Sequence, residues 1–399
     1  MPRMAIVSAA PNGSPGEVLR LIRDGHASTR NEVMDLTGLS RSTVTHRLGL
    51  LLSAGLLREG SGQSSGGRPP VALAFNEHMG VVLAADLGAG HGRLAVCDLA
   101  GATLAEREEP LRIADGPGPV LDWVEDRFEA LLTEAGRAPA DVLAVGVGVP
   151  GPIDVDTGRP ISPPIMPGWD GHPVAERLSE RFGAPVVLER DVNAMAIGEH
   201  RRHWAALRNM LFVKVATGIG AGIITDGQLL RGLHGRAGDI GHIRAITNSD
   251  VLCTCGNHGC VGALASGSAI VRQLQAAGVE ATSTAGVVAL VSAGHPEATH
   301  RVREAGRVLG AALAVVVATV APTALVIGGE LAEASQPLLA GIRESVYQRA
   351  SPLATGELRT VTSRLGARAG VIGATTLALE TVLQPSSVDA LLARRGVAA

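Results

Sequence analysis

MLFVKVATGIGAGIITDG, residues 210–227, places a glycine-rich turn between two apolar strand candidates. An earlier stretch, VVLAADLGAGHGRLAVCDL at residues 81–99, repeats this arrangement. Helical patterns around residues 120–132 and from 192 to about 204 alternate with further strand candidates such as PVVLERD, residues 185–191. Strands that alternate with helices are typical of α/β proteins. Because the pattern occurs twice, it predicts a doubled α/β fold with a cleft between two lobes.

The segment before this body, residues 14–60, carries the start and stop signals of three short helices. Ser14 and Thr29 are each followed three residues later by a glutamate, which is the capping-box pattern. Gly38 stands where the second helix would end in a left-handed conformation. Ser40 then precedes a third helix after a turn of about four residues that contains a glycine. This spacing predicts a helix-turn-helix.

The third helix has an apolar face and a polar face. The polar face carries, near its N-terminal end, four side chains that we predict to contact DNA: Arg41, Ser42, Thr45 and His46. Short polar and forked cationic groups suit the base edges of a major groove.

After Leu57 the sequence REGSGQSSGGRPPVALAF predicts two strands joined by a Gly/Ser tip that carries Arg68. Such a wing could place Arg68 in a narrow minor groove, which adds it to the predicted DNA contacts. The alternative is that the three helices are only a packing or dimerisation domain and that Arg68 is a solvated charge.

Length, composition and charge set the broad class. The chain has 399 residues, enough for two or three domains. Residues 1–75 hold eight Arg against five Asp plus Glu, a balance of +3, whereas the whole chain has a net charge of −3. A basic N-terminal segment followed by an acidic remainder of the chain is typical of a nucleic-acid-binding module joined to a cytosolic domain. Aromatic residues make up only 2%, which argues against the stacking platform of single-strand binders.

No membrane segment is expected. The first residues, MPRMAIVSAAPNG, give no long apolar run after a basic start, so we expect a cytoplasmic protein. Residues 308–327 are apolar over about the length of a bilayer span. Because Pro322 interrupts this stretch, it predicts a buried helix, a break and a buried strand, TALVI.

The segments GDIGH at 238–242 and CTCGNHGC at 253–260 predict a metal site. Three thiolates and one imidazole make a closed, four-ligand zinc site of the structural type, and the imidazole could come from His242 or His258. Since protein ligands fill every position, the ion should shape the site and not activate water.

Three further signals concern the cleft. The loops that follow Asp86 and Thr217 are glycine-rich and could each present backbone N–H groups to an anion, although glycines at strand ends are also common in simple turns. Asp191 stands two residues after a predicted buried strand. It could be a general base for a hydroxyl group, or it could cap a helix together with Asn193.

Taken together, these pieces resemble the ROK family (repressors, open reading frames and sugar kinases), and specifically its transcriptional regulators with an N-terminal winged helix. The resemblance covers nearly the whole chain. It rests on GGRPP at 66–70, GVGVPGPID at 146–154, PPIMPGWDG at 163–171, DVNAMAIGEH at 191–200, TGIGAG at 217–222, GRAGDIGH at 235–242 and CTCGNHGC at 253–260.

The resemblance implies a winged helix-turn-helix followed by a two-lobed, actin-like (ribonuclease-H-like) ATPase or sugar-kinase fold. It also implies a sugar in the cleft, a structural zinc held by His242, Cys253, Cys255 and Cys260, and homodimers or homotetramers on palindromic operators. The expected domains are residues 1–75, 76–190 and 191–399, with a C-terminal helix that could return to the first lobe.

The sequence departs from the kinases of this family at the positions that carry chemistry. Those kinases have Asp-x-Gly-Gly-Thr at the first phosphate loop, whereas this chain has Ala89, Gly90 and His91 after Asp86-Leu87-Gly88, so the threonine is missing. Arg190 replaces the asparagine before the catalytic aspartate, Asp239 shortens the glutamate of GEIGH, and Gly262 replaces a glutamate after the last cysteine. Asp191 survives as a vestigial base.

These departures predict a sugar-responsive, DNA-binding repressor without kinase activity, with effector contacts from Arg190, Asp191, Asp239 and His242. Two alternatives stay open. One is an ATP-dependent sugar kinase with a DNA-binding extension, and the other is an architectural DNA binder whose pocket takes no ligand.

Overall fold

The computed structural model describes residues 13–61, 71–154, 157–245 and 249–396. Its α-helices in that part of the chain are α1 (Pro15–Arg23), α2 (Arg30–Thr37), α3 (Arg41–Ser53), α4 (Pro117–Glu134), α5 (Val174–Phe182), α6 (Asp191–Glu199), α7 (Val261–Ala265), α8 (Gly267–Ala276), α9 (Thr284–Ser292), α10 (Pro296–Val320), α11 (Ser335–Arg349), α12 (Pro352–Thr355), α13 (Ala369–Val382) and α14 (Pro385–Arg394). Its strands are β1 (Leu57–Ser61), β2 (Val71–Phe75), β3 (Val81–Leu87), β4 (His91–Asp98), β5 (Thr103–Pro110), β6 (Val142–Val149), β7 (Ile153–Asp154), β8 (Arg159–Pro160), β9 (Val186–Arg190), β10 (Met210–Val215), β11 (Ile219–Thr225), β12 (Gln228–Leu229), β13 (Ala324–Gly328) and β14 (Arg359–Thr362).

The N-terminal module consists of α1, α2, α3 and the antiparallel hairpin of β1 and β2. The Thr29 hydroxyl accepts a hydrogen bond from the backbone N–H of Glu32, and the Glu32 carboxylate accepts one from the backbone N–H of Thr29. Gly38 ends α2 with a φ of 69°, and the Ser40 side chain caps α3. The predicted helix-turn-helix is confirmed. The hairpin tip, including Arg68, lies outside the described residues.

Two five-stranded sheets form the body, in the orders β5-β4-β3-β6-β9 and β12-β11-β10-β13-β14. In each sheet the first three strands along the chain pair antiparallel, while the fourth strand pairs parallel with the first and with the fifth. The two sheets therefore share one topology. The predicted doubled α/β fold with two lobes is confirmed.

Helices α6 and α13 lie between the sheets. Buried residues of α6 pack with β10 and β13, whereas those of α13 pack with β3, β4 and β6. A Cβ on Gly198 of α6 would come within 2.7 Å of the backbone N of Gly373 of α13, and one on Gly373 within 1.8 Å of the Ala194 oxygen. Only glycine permits so close a crossing. The helix predicted from 192 to 204 ends at Glu199 and continues as a single π-helical turn.

The apolar stretch at residues 308–327 is divided as predicted. Helix α10 ends at Val320, Ala321 has a φ of 46°, and Pro322 separates the helix from the buried strand β13. Among the described residues, no helix has the length and apolar character needed to cross a membrane.

The chain's last two helices leave the second lobe. Helix α13 packs on the first sheet, and α14, which follows it, packs against α1. Val388 and Leu392 of α14 are buried in the core of the N-terminal module. The backbone N–H of Gly16 donates to Oδ1 of Asp389 at 2.8 Å. The domain boundaries after residues 75 and 190 stay a prediction, but α14 does not pack in the lobe to which we assigned it.

Candidate functional site

A cleft of about 1180 Å³ opens between the two lobes. Its walls come from the loop after β3, the junction of β9 and α6, the turn between β10 and β11, and the segment before the cysteine cluster. All four predicted effector residues line this cleft: Arg190, Asp191, Asp239 and His242. The tertiary structure thus brings together residues that lie up to about 50 positions apart in the sequence.

Asp191 is the first residue of α6 and is engaged on both carboxylate oxygens. Its Oδ2 accepts from Nζ of Lys214 at 2.5 Å, and its Oδ1 accepts from the backbone N–H of Val192 at 2.6 Å. Asp191 is not the N-cap residue of this helix, because Arg190 holds that position, and the Arg190 side chain makes no capping hydrogen bond. The Asn193 amide instead donates to Glu189 at 2.9 Å.

Lys214 is a site residue that the sequence motifs did not identify. It is the only lysine of the chain and stands on the otherwise apolar strand β10. Burial opposes its charge, yet the carboxylates of Asp191 and Asp86 outweigh that effect and raise the pKa of Lys214. A lone lysine in an apolar strand was the signal that could have identified it.

Arg190 and Asp239 form an ion pair across the cleft, with 3.3 Å between Nη2 and Oδ1. The guanidinium also lies beside Gly220, where a Cβ would come 3.2 Å from Nη2. These two residues are both departures from the family's kinase pattern. The positive Arg190 side chain reaches the negative Asp239 carboxylate directly, although the aspartate is one methylene group shorter than the family's glutamate. The two departures therefore form a charge-assisted pair.

Glu189 is a second residue that sequence reasoning missed. It is buried, and its carboxylate accepts from the Arg231 side chain at 2.8 Å, from the Asn193 amide at 2.9 Å and from the backbone N–H of Arg190 at 3.0 Å. These contacts fix the end of β9 and hence the direction of Arg190.

The first glycine-rich loop contains Asp86, which is buried at the end of β3. Burial raises the pKa of the Asp86 carboxyl, while the nearby Lys214 ammonium opposes this shift. The His91 ring packs over Gly88, where a Cβ would lie 2.2 Å from Cε1. An imidazole therefore occupies the loop region where the family's kinases present a threonine.

The cysteine cluster adjoins the cleft. One ligand atom each from His242, Cys253, Cys255 and Cys260 lies within 4.8 Å of the others, so the group could hold a metal ion. Nδ1 of His242 is 3.4 Å from Sγ of Cys253, and Sγ of Cys255 is 3.7 Å from Sγ of Cys260. Of the two candidate imidazoles, His242 is the one in this group.

The chemistry of this cluster fits a thiophilic ion. Hydrogen bonding from the backbone N–H of Asn257, aided by the neighbouring thiols, lowers the pKa of Cys255 to about 6. Burial and the adjacent thiols raise the pKa of Cys260 to about 12. A divalent cation would displace the remaining protons, because thiolates and not thiols are the metal ligands.

Glycines hold the His242 segment against β11. Gly238 has a φ of 82°, and a Cβ there would lie 1.9 Å from the Ala221 oxygen. The backbone N–H of Ala221 donates to the Gly238 oxygen at 2.8 Å. The GDIGH segment therefore needs glycine so that its backbone can approach the strand closely.

The predicted DNA-contacting residues of α3 share one exposed face. Arg41, Ser42, Thr45 and His46 are all exposed, whereas Val44, Leu48 and Leu51 on the other face are buried. The Thr45 hydroxyl donates to the Arg41 backbone oxygen at 2.7 Å. The surface is available for a macromolecular partner, and its side chains are of the types that read base edges.

The ROK family model matches residues 82–381, and the chain belongs to the ROK family. A xylose repressor of Caldicellulosiruptor bescii is 28% identical over 381 residues, covering 92% of this chain and 95% of the relative. A glucokinase of Streptomyces coelicolor is 31% identical over 324 residues, covering 76% and 98%. A solved ROK family transcriptional regulator, described as a homologue of the E. coli MLC protein, is 27% identical with a TM-score of 0.80, covering 96% and 98%.

Proposed function

We propose that this chain is a DNA-binding transcriptional repressor whose effector is a sugar or sugar derivative bound in the cleft. The observation that carries the proposal is the exposed polar face of α3, on a capped helix-turn-helix that is joined to a two-lobed body. The similarity to the xylose repressor covers 92% of the chain and so extends into the N-terminal module, whereas the glucokinase covers 76%.

The DNA-contacting residues of this proposal are Arg41, Ser42, Thr45 and His46 on α3 and Arg68 on the wing. A symmetric homodimer or homotetramer would place two such modules on the half-sites of a palindromic operator. We expect the protein to act in the cytoplasm.

The effector contacts of this proposal are Arg190, Asp191, Asp239 and His242. Together they offer carboxylate oxygens and N–H groups, the partners that sugar hydroxyls need. A structural zinc held by His242 and the three cysteines would fix the imidazole at the cleft wall. The ion supplies rigidity when bound, since no coordination position is left for water.

The first experiment selects operator fragments from genomic DNA with the purified protein and then measures their affinity for variants. Arg41→Ala should weaken operator binding by about 1–3 kcal/mol, on the order of five- to 150-fold, because a base-edge contact is lost. Effector affinity should stay unchanged, because α3 contributes no residue to the lining of the cleft.

Arg112→Ala is the matched control, since Arg112 is an exposed arginine of the first lobe. It should leave operator binding within about twofold of the parent protein. Equal operator affinity and salt dependence for Arg41→Ala and the parent would contradict the placement of the DNA surface. Operator affinity that no sugar changes would favour the architectural DNA binder.

A further inference from the structure

Lys214 stands on β10, the central strand of the second sheet, and has a glycine opposite it on each neighbouring strand. Its partner on β11 is Gly220, and its partner on β13 is Gly328. Directly opposite residues in a sheet point to the same face. A Cβ on Gly220 would lie 3.2 Å from Nη2 of Arg190, and one on Gly328 would lie 2.4 Å from the Phe212 ring. The two glycines therefore make room for these side chains beside the lysine, which lines the cleft.

One carboxylate contacts this ammonium, and a second acts on it electrostatically. Asp191 contacts Nζ directly at 2.5 Å, and the side chains are only 18% exposed for Lys214 and 8% for Asp191. Asp86 belongs to the other lobe and is likewise buried. Both acids adjoin Gly148, where a Cβ would lie 3.6 Å from Cα of Asp191 and 3.7 Å from Oδ1 of Asp86.

Two buried carboxylates that adjoin the same glycine require a counter-charge. In phosphate-transferring clefts that charge is supplied by divalent metal ions, which also bridge the phosphate oxygens. Mg²⁺ would need near-octahedral oxygen ligands at about 2.0–2.1 Å. Here Oδ2 of Asp191 is engaged by Nζ and Oδ1 by the Val192 N–H, so the residues do not fit a divalent ion.

We propose that Lys214 is a built-in cation that takes the place of a divalent metal ion between Asp86 and Asp191. The cleft then holds its ligand without a metal ion. Since a nucleotide triphosphate depends on such an ion for charge neutralisation, this arrangement favours a hydroxyl-bearing ligand that needs no metal ion. Its hydroxyls can donate to Asp191. This inference does not depend on the DNA-binding function.

The test measures Mn²⁺ binding by electron paramagnetic resonance on the full, zinc-loaded chain. Lys214→Met removes the charge but keeps an unbranched side chain, so it should increase Mn²⁺ uptake from near zero to about one ion per chain, with a Kd on the order of 10⁻⁴–10⁻³ M. Lys214→Arg is the matched control, because it keeps a positive charge, and it should bind no more Mn²⁺ than the parent.

Adding Asp86→Asn to Lys214→Met should abolish the new site. The proposal is overturned if Lys214→Met binds no more Mn²⁺ than the parent, or if the parent itself binds Mn²⁺ at a site that Asp86→Asn removes. Should Lys214→Met be unfolded on its own, Mn²⁺ should restore its cooperative thermal transition. A chain that stays unfolded with Mn²⁺ also overturns the proposal.

Discussion

His242 belongs both to the cleft and to the cysteine cluster, because it lines the cleft and its Nδ1 lies beside Sγ of Cys253. A ligand in the cleft therefore meets a side chain whose position depends on the cysteine cluster. The four side chains that could hold a metal ion therefore bear on how the cleft meets a ligand, even though Cys260 is buried and does not line the cleft.

Cys255→Ser should reduce the zinc content from about one ion per chain to a small fraction of that, because a hydroxyl is a poor replacement for a thiolate. Effector affinity should fall with it, because His242 loses its anchor. Metal analysis and effector titration check both effects. His258→Ala is the control within the same loop and should keep its zinc. A parent protein that holds far less than one zinc per chain would contradict the tetrahedral site.

At the scale of elements, the contact between α14 and α1 joins the end of the chain to its beginning. A Cβ on Gly16 would lie 2.2 Å from the Pro385 oxygen, so the two helices approach at backbone distance. Arg23 donates to the Leu383 oxygen at 3.3 Å, just before α14. The helix-turn-helix core is therefore complete only when α14 is in place.

Leu392→Ala should destabilise the N-terminal module by about 2–5 kcal/mol, because it leaves a cavity among the buried residues of that core. Operator affinity should decrease, while effector binding in the cleft should not. Calorimetry and operator titration measure these effects. Leu391→Ala, the adjacent and less buried position, should cost about 1 kcal/mol or less. Equal stabilities for the two variants would show that α14 is not part of this core.

At the scale of the whole molecule, the two lobes keep the shape of a sugar kinase while the groups between them differ. The 31% identity to a glucokinase makes kinase activity the alternative to be tested. Positioning and charge stabilisation supply nearly all of the catalysis in phosphoryl transfer. In this cleft His91 stands in the first phosphate loop and Lys214 is paired with Asp191.

We therefore expect ATP-dependent phosphorylation of common hexoses to stay below the usual enzyme range of about 1–1000 per second. A coupled ADP-release assay measures it, with the S. coelicolor glucokinase run in parallel as the active control. Asp191→Asn should instead weaken effector-induced release from the operator. Turnover within the usual range, lost in Asp191→Asn, would establish the kinase alternative.

The sequence by itself determined many of the helices and strands and the residues at which they begin and end. The capping residues Thr29 and Ser40, the left-handed Gly38 and the break at Pro322 act through local backbone geometry, which neighbours in the chain are sufficient to define. The alternation of strand and helix patterns occurs twice along the chain, and this repetition is also visible locally, so it predicted two lobes. The cysteine spacing likewise predicted a metal cluster, since three of its ligands lie within eight residues.

Only the tertiary structure decided which distant groups meet. Lys214 and Asp191 are 23 positions apart, and Arg190 and Asp239 are 49 apart. Asp389 reaches Gly16 across 373 positions. Such pairs depend on the relative placement of strands and helices, which no local pattern specifies. The ligand spacing alone left His242 and His258 open and the family resemblance implied His242, and the structure places that imidazole beside the thiols.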